Sequence, residues 1–164
     1  MNKFWKEAKD YIIIVVVVVI IRTFLVTPAI VDGASMDYIL EDGQLVIVNK
    51  IVYKIKDVNR FDIVVLNNEQ DGDKIIKRVI GLPNETIEYK NNKLYVNGKL
   101  VNQNYVVKDT EDFTIKTGEN EYFVLGDNRV VSKDSRMLGN FKKKDIVGRV
   151  NFRLLPFDEF GKIE

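Results

Sequence analysis

The chain has 164 residues, 46% of them hydrophobic, and its 25 Lys and Arg against 24 Asp and Glu leave a formal charge of +1. That length holds one domain and an appendage, and the even charge excludes polyanion binding as the main role. With no cysteine and no histidine, the chain cannot build disulfides, thiol catalysis, Cys- or His-ligated zinc or a Ser-His-Asp triad. Any base must be a carboxylate, a tyrosine or a lysine of perturbed pKa.

The first element is the apolar run YIIIVVVVVIIRTFLVT, residues 11–27, broken only by Arg22. As a helix rising about 1.5 Å per residue it spans roughly 25 Å, near the lower bound for crossing a bilayer. It reads as a single-pass transmembrane anchor, with Arg22 reaching the headgroups at its far end and Phe4 and Trp5 at the near interface. A cleavable secretory signal and a buried valine strand are the competing readings. Lys3, Lys6 and Lys9 precede the run, and after Arg22 no basic residue occurs before Lys50. Residues 1–10 are therefore expected in the cytoplasm and residues 28–164 outside it.

The segment GASMDYIL (33–40) follows, placing Ser35 and Met36 in a glycine-softened loop. Beyond it the pattern is of short strands: LVIV (45–48), DIVVL (62–66), KIIKRVIGL (74–82), ETIEY (85–89), EYFVL (121–125) and DIVGRVNFRLL (145–155). Asn97-Gly98 between apolar runs signals a type I′ hairpin. The expected fold is mainly β, with residues 84–120, richer in Asn, Lys, Glu and Thr, as a small β insertion on the main sheet.

Two stretches carry candidate chemistry. Strand alternation sets Lys77 among Ile75 and Val79, where burial lowers a lysine pKa toward a usable base; the alternative is a Lys77-Arg78 pair guarding a sheet edge. GDNRVVSKDSRMLG (126–139) reads either as a polar surface loop or as a set of hydroxyls and ion pairs that orient a base.

Taken in order, the basic start, the apolar run, GASM, KRVIGLP, LGDNR and SKDSR resemble the type I signal peptidases, membrane-anchored Ser-Lys proteases, in their short Gram-positive form. The resemblance runs from the anchor to about Phe157. It implies a β catalytic core carrying a small β insertion, with Ser35 as nucleophile, Lys77 as general base and Ser132 as the hydroxyl that orients the lysine. Met36 packs beside the nucleophile, Arg78 accompanies the lysine, and Asp127, Asn128, Arg129, Asp134, Ser135 and Arg136 shape and brace the site. The Ser35 N–H serves the oxyanion; where some family members add a hydroxyl two residues earlier, this chain has Gly33 and relies on backbone and other donors. Substrates implied are exported preproteins with small residues at the first and third positions before the cut, met at membrane lipid with the secretion translocon as a neighbour, and without cofactor, metal or nucleic acid. One departure stands out: Tyr38 and Ile39 occupy the positions of the family's Pro-Thr, and loss of a proline releases about 0.4–1 kcal/mol of chain restriction. A non-catalytic, membrane-anchored peptide-binding module or partner of an active paralogue is the alternative, motivated by that loop. A self-cleaving repressor lacks room for a DNA-binding domain before Ser35.

Overall fold

The structure is a computed structural model describing residues 3–20, 25–105 and 110–163. Helix α1 (Lys3–Ile20) precedes β1 (Val26–Ile30), β2 (Leu45–Asn49), the single-turn α2 (Val52–Ile55), β3 (Ile63–Asn68) and β4 (Asp73–Gly81). Next come β5 (Thr86–Lys90), β6 (Lys93–Val96), β7 (Lys99–Val101), β8 (Phe113–Lys116), β9 (Glu121–Leu125) and the single-turn α3 (Ser135–Leu138). The chain finishes through β10 (Phe141–Lys142), β11 (Ile146–Leu155) and β12 (Gly161–Lys162). The fold is mainly β: an antiparallel eight-stranded sheet in the order β1-β2-β11-β3-β4-β9-β10, with β12 beside β11, and a four-stranded sheet β7-β6-β5-β8.

The strands form where Val, Ile and Leu can be covered on both faces. In β3, Ile63 and Val65 pack with Met36, Val46 and Val48, while Val64 and Leu66 pack on the other side with Val79 and Val124. That is the two-residue period of a strand with both faces buried, and each such side chain contributes about 1.5–3 kcal/mol. A third cluster joins the sheets: Ile80 of β4 and Phe123 and Leu125 of β9 pack against Ile87, Tyr89, Leu94 and Val96. The second sheet is thereby fixed to the two strands that lead into the site. Asn97 and Gly98 have φ of 51° and 76° and close the β6–β7 hairpin with Val96 opposite Lys99, the left-handed pair that a type I′ turn requires.

The amino-terminal reading needs correction. No helix among the described residues is long and apolar enough to cross a membrane: the first half of α1 carries Lys3, Lys6, Glu7, Lys9 and Asp10. The run read as an anchor to residue 27 also ends earlier, because Val26 and Thr27 pair with Asn49 and Val48 in β1. Both are β-branched and find ladder partners on β2, which a helix would forgo. Arg22 lies outside the described residues. What remains helical is apolar and bare: each side chain in 11–19 is 46% to 71% exposed.

Candidate active site

Ser35 sits in the loop between β1 and β2. Val31 N–H donates to Gln44 O and Gly43 N–H to Val31 O, both at 2.9 Å, closing the loop at its base. Gly33 has φ +85°, the left-handed region, and its N–H donates to Asp42 Oδ1 at 2.7 Å. Met36 and Leu40 plug into the first apolar cluster and are fully buried. The loop is thus held by burial just past Ser35 rather than by regular structure.

Lys77, in β4, reaches this loop. Its Nζ lies 2.7 Å from Ser35 Oγ and 3.0 Å from Ile76 O, and the residue is 4% exposed. Burial pushes its pKa down from 10.5 to about 8, opposed by the carboxylates of Asp134 and Asp127. Lys77 is therefore no solvated edge residue.

The segment after β9 completes the cluster. Gly126 passes so close to the Ser35 loop that a Cβ there would lie 2.2 Å from Ser132 Oγ and 2.4 Å from Ser35 O. Only glycine fits this crossing. Asp127 pairs with Arg78, Nε–Oδ1 at 2.8 Å and Nη2–Oδ2 at 2.6 Å, and the Arg78 guanidinium stands 4.0 Å over the Tyr105 ring while Nη1 donates to Phe61 O. Asn128 donates its N–H to Ser35 O and its Nδ2 to Ala34 O, each at 3.1 Å. Arg129 Nε donates to Gly126 O at 2.9 Å and Nη1 to Thr110 Oγ1 at 2.7 Å. Asp134 accepts from Gly126 N–H and from the Arg136 guanidinium, which also donates to Arg129 O. Ser135 Oγ accepts from Val124 N–H at 3.0 Å.

Ser35, Lys77, Arg78, Asp127, Asn128, Arg129, Ser132, Asp134 and Arg136 are thus brought together from segments far apart in sequence. Ser132 is buried in the cluster, but its Oγ has no hydrogen-bond partner and so is not joined to Lys77. Gly126, Tyr105 and Thr110 went unread as site residues. Gly126 had a signal, standing at the end of a predicted strand just before Asp127 and Asn128; the other two meet the arginines only through tertiary packing.

Tyr38 explains the departure in the loop. Its φ is +85°, whereas proline is locked near −65°. A proline at this position would not fit this backbone.

A cleft of about 370 Å³ ends at Ser35 and Lys77, lined by residues 30–33, Ser35 and Met36 on one side and residues 73–77 on the other. Both walls offer strand backbone: β1 is the outermost strand of its sheet, and β4 is paired only with β3 before Arg78, where β9 joins.

A mainly β core presenting a serine and a buried lysine at the end of such a cleft is one arrangement for serine peptidase chemistry. The family model described as signal peptidase, peptidase S26, matches residues 4–155, and the chain belongs to this family of serine peptidases. It is 43% identical over 169 residues to signal peptidase I S of Bacillus subtilis, covering 94% of this chain and 91% of that protein. It is 40% identical to signal peptidase IB of Staphylococcus aureus, covering 94% and 93%. The crystal structure of a signal peptidase I from Enterococcus faecalis superposes with a TM-score of 0.54 at 38% identity, over 58% of this chain and 97% of that one.

Proposed function

We propose that this chain is a membrane-attached serine endopeptidase that removes signal peptides from exported preproteins through a Ser35–Lys77 dyad. The observation that carries the reading is the 2.7 Å contact between Lys77 Nζ and Ser35 Oγ, made by an amine whose pKa burial has lowered to about 8. Neutral Lys77 takes the Ser35 proton as Oγ attacks the scissile carbonyl. The ammonium so formed gives that proton to the leaving amine, and the C–N bond breaks. Water then attacks the acyl ester, its proton passing to Lys77 and back to Ser35 Oγ. The Ser35 N–H donates to the oxyanion, a contact worth about 3 kcal/mol in other proteases.

The substrate lies extended in the cleft, its backbone bonding to the open edges of β1 and β4. Val31, Met36 and Ile76 leave shallow apolar room for small side chains at the first and third positions before the cut. Membrane attachment rests on the exposed apolar surface of α1. The lysines before that run add attraction to anionic lipid, and the attached β domain meets exported preproteins at that surface, beside the translocon that delivers them.

Cleavage of a preprotein with an Ala-X-Ala site by the detergent-solubilised chain, set beside Ser35→Ala, tests the reading. Processing by the native chain and none by Ser35→Ala is expected. No processing by either overturns it in favour of a peptide-binding module.

A further inference from the structure

Asn128 makes an unusual pair of contacts. Its side-chain Nδ2 donates to Ala34 O and its backbone N–H donates to Ser35 O, both at 3.1 Å. These are the carbonyls on either side of Ser35, so one residue grips both peptide planes of the nucleophile. The side-chain assignment is forced by chemistry, because a carbonyl only accepts and the amide nitrogen must face it. A peptide unit is planar and trans, so the Ala34 carbonyl and the Ser35 N–H point in opposite directions from one plane. Fixing the first aims the second. Holding the Ser35 carbonyl fixes the following plane, and together the two bonds restrain φ and ψ of Ser35.

The grip is itself anchored. Asn128 is 6% exposed, and its carbonyl accepts from Ser132 N–H at 3.2 Å. Nδ2 has a further, longer contact of 3.4 Å with Asp37 Oδ2 on the far side of the nucleophile. Asp127, the residue before it, is locked to Arg78. Within the loop a longer turn bond, Asp37 N–H to Ala34 O at 3.3 Å, holds the same carbonyl, and Asn128 adds a shorter bond from outside.

We infer that Asn128 is a positioning residue that aims the Ser35 N–H at the oxyanion by holding the Ala34 carbonyl. The inference rests on the proposed serine chemistry and adds to it the group on which transition-state binding depends. Asn128 touches no reacting atom. Its loss leaves the Ser35–Lys77 contact and the substrate cleft in place but leaves the Ala34–Ser35 plane to the longer Asp37 bond alone.

The test uses the full chain in detergent and two variants. Asn128→Asp has the same shape but lacks the donor, and Asn128→Ser is too short to reach Ala34 O. Both keep the backbone bond to Ser35 O. Each is measured for kcat and KM on an Ala-X-Ala preprotein. Each is also measured for binding of a peptide aldehyde, whose adduct with Ser35 carries an oxyanion, and of the corresponding peptide alcohol, which forms none. The expected result is a fall in kcat of about tenfold to a hundredfold with KM within about twofold. Aldehyde binding should weaken by a similar factor, alcohol binding and the pH at half-maximal rate staying put. Equal losses for aldehyde and alcohol, or a changed KM with unchanged kcat, overturn the inference, since a merely structural residue would produce them. Native rates and binding in a folded variant overturn it too, while leaving the peptidase reading intact. If Asn128→Asp does not fold, Asn128→Ser decides; if neither folds, the residue is structural and the inference fails. A native chain that does not cleave overturns the peptidase reading, and the inference with it.

Discussion

Arg78 and Asp127 form a buried ion pair, Nη2–Oδ2 2.6 Å, and each is the chain neighbour of a residue that touches Ser35 or its loop. Arg78 follows Lys77 in β4; Asp127 precedes Asn128. The pair ties the strand bearing Lys77 to the segment that grips the Ser35 loop. Removing one partner leaves a buried charge without its counterpart, a cost of about 3–5 kcal/mol. Asp127→Ala should therefore lower stability by that order in urea unfolding and abolish cleavage. Arg78→Met with Asp127→Leu should recover much of the stability and little of the activity.

Lys77 has opposite effects on turnover and stability. Its value near 8 in the folded chain lies below the ordinary 10.5 because burial disfavours the ammonium. The base role proposed for it requires the neutral amine, so kcat/KM should rise with pH and level off above about 8. Lys77→Arg should be inactive, since arginine stays protonated.

The same shift sets a stability trend. Between pH 8 and 10.5 the unfolded chain binds more protons than the folded one, and stability contributed by this group rises with pH across that window. Lys77→Met should remove the burden of a buried ammonium and raise stability at pH 7 by on the order of 1–3 kcal/mol. The gain should shrink toward zero near pH 10.5 in urea titrations run at several pH values.

Gly126→Ala tests the crossing of two segments. The added Cβ would meet Ser35 O at 2.4 Å and Ser132 Oγ at 2.2 Å, so the loops must part by more than a hydrogen bond tolerates. The variant should lose cleavage by more than about a hundredfold, the penalty of misplaced reacting groups, and its melting temperature should fall.

Tyr38→Pro should not stiffen the loop toward the family pattern. A residue at φ +85° cannot be replaced by proline without rebuilding the turn, whereas glycine adopts that region freely. Tyr38→Pro should lower activity and stability; Tyr38→Gly should match or exceed the native stability, by up to about 1 kcal/mol. Paired melting curves and cleavage rates check both.

Much of the β core was legible because its strands alternate or run apolar between turn residues. LVIV at 45–48 became β2 (Leu45–Asn49) and EYFVL became β9 (Glu121–Leu125). The single turns α2 and α3 and the two-residue β10 and β12 were not, since segments that short carry no readable period. The valine run illustrates the limit of propensity. Val15 to Val19 are helical despite their β-branched side chains, while Val26 and Thr27, at the end of the same run, pair in β1. Which of the two a β-branched residue joins depends on whether a partner strand lies alongside, and that is tertiary information. The site divides in the same way. Lys77 taken alone favours the edge-guard reading; its meeting with Ser35 spans 42 positions. The motif order marked Asn128 as part of the site, but its bond to Ala34 O, 94 positions away, was in no local pattern.

The segment 126–132 reaches Ser35 only after the chain before it has been laid down. Until that segment folds into place, the Ser35 loop lacks the Asn128 grip and the strand of Lys77 lacks the Asp127 clasp. A nascent chain lacking these residues holds Ser35 and Lys77 without the segment that clasps the two elements carrying them.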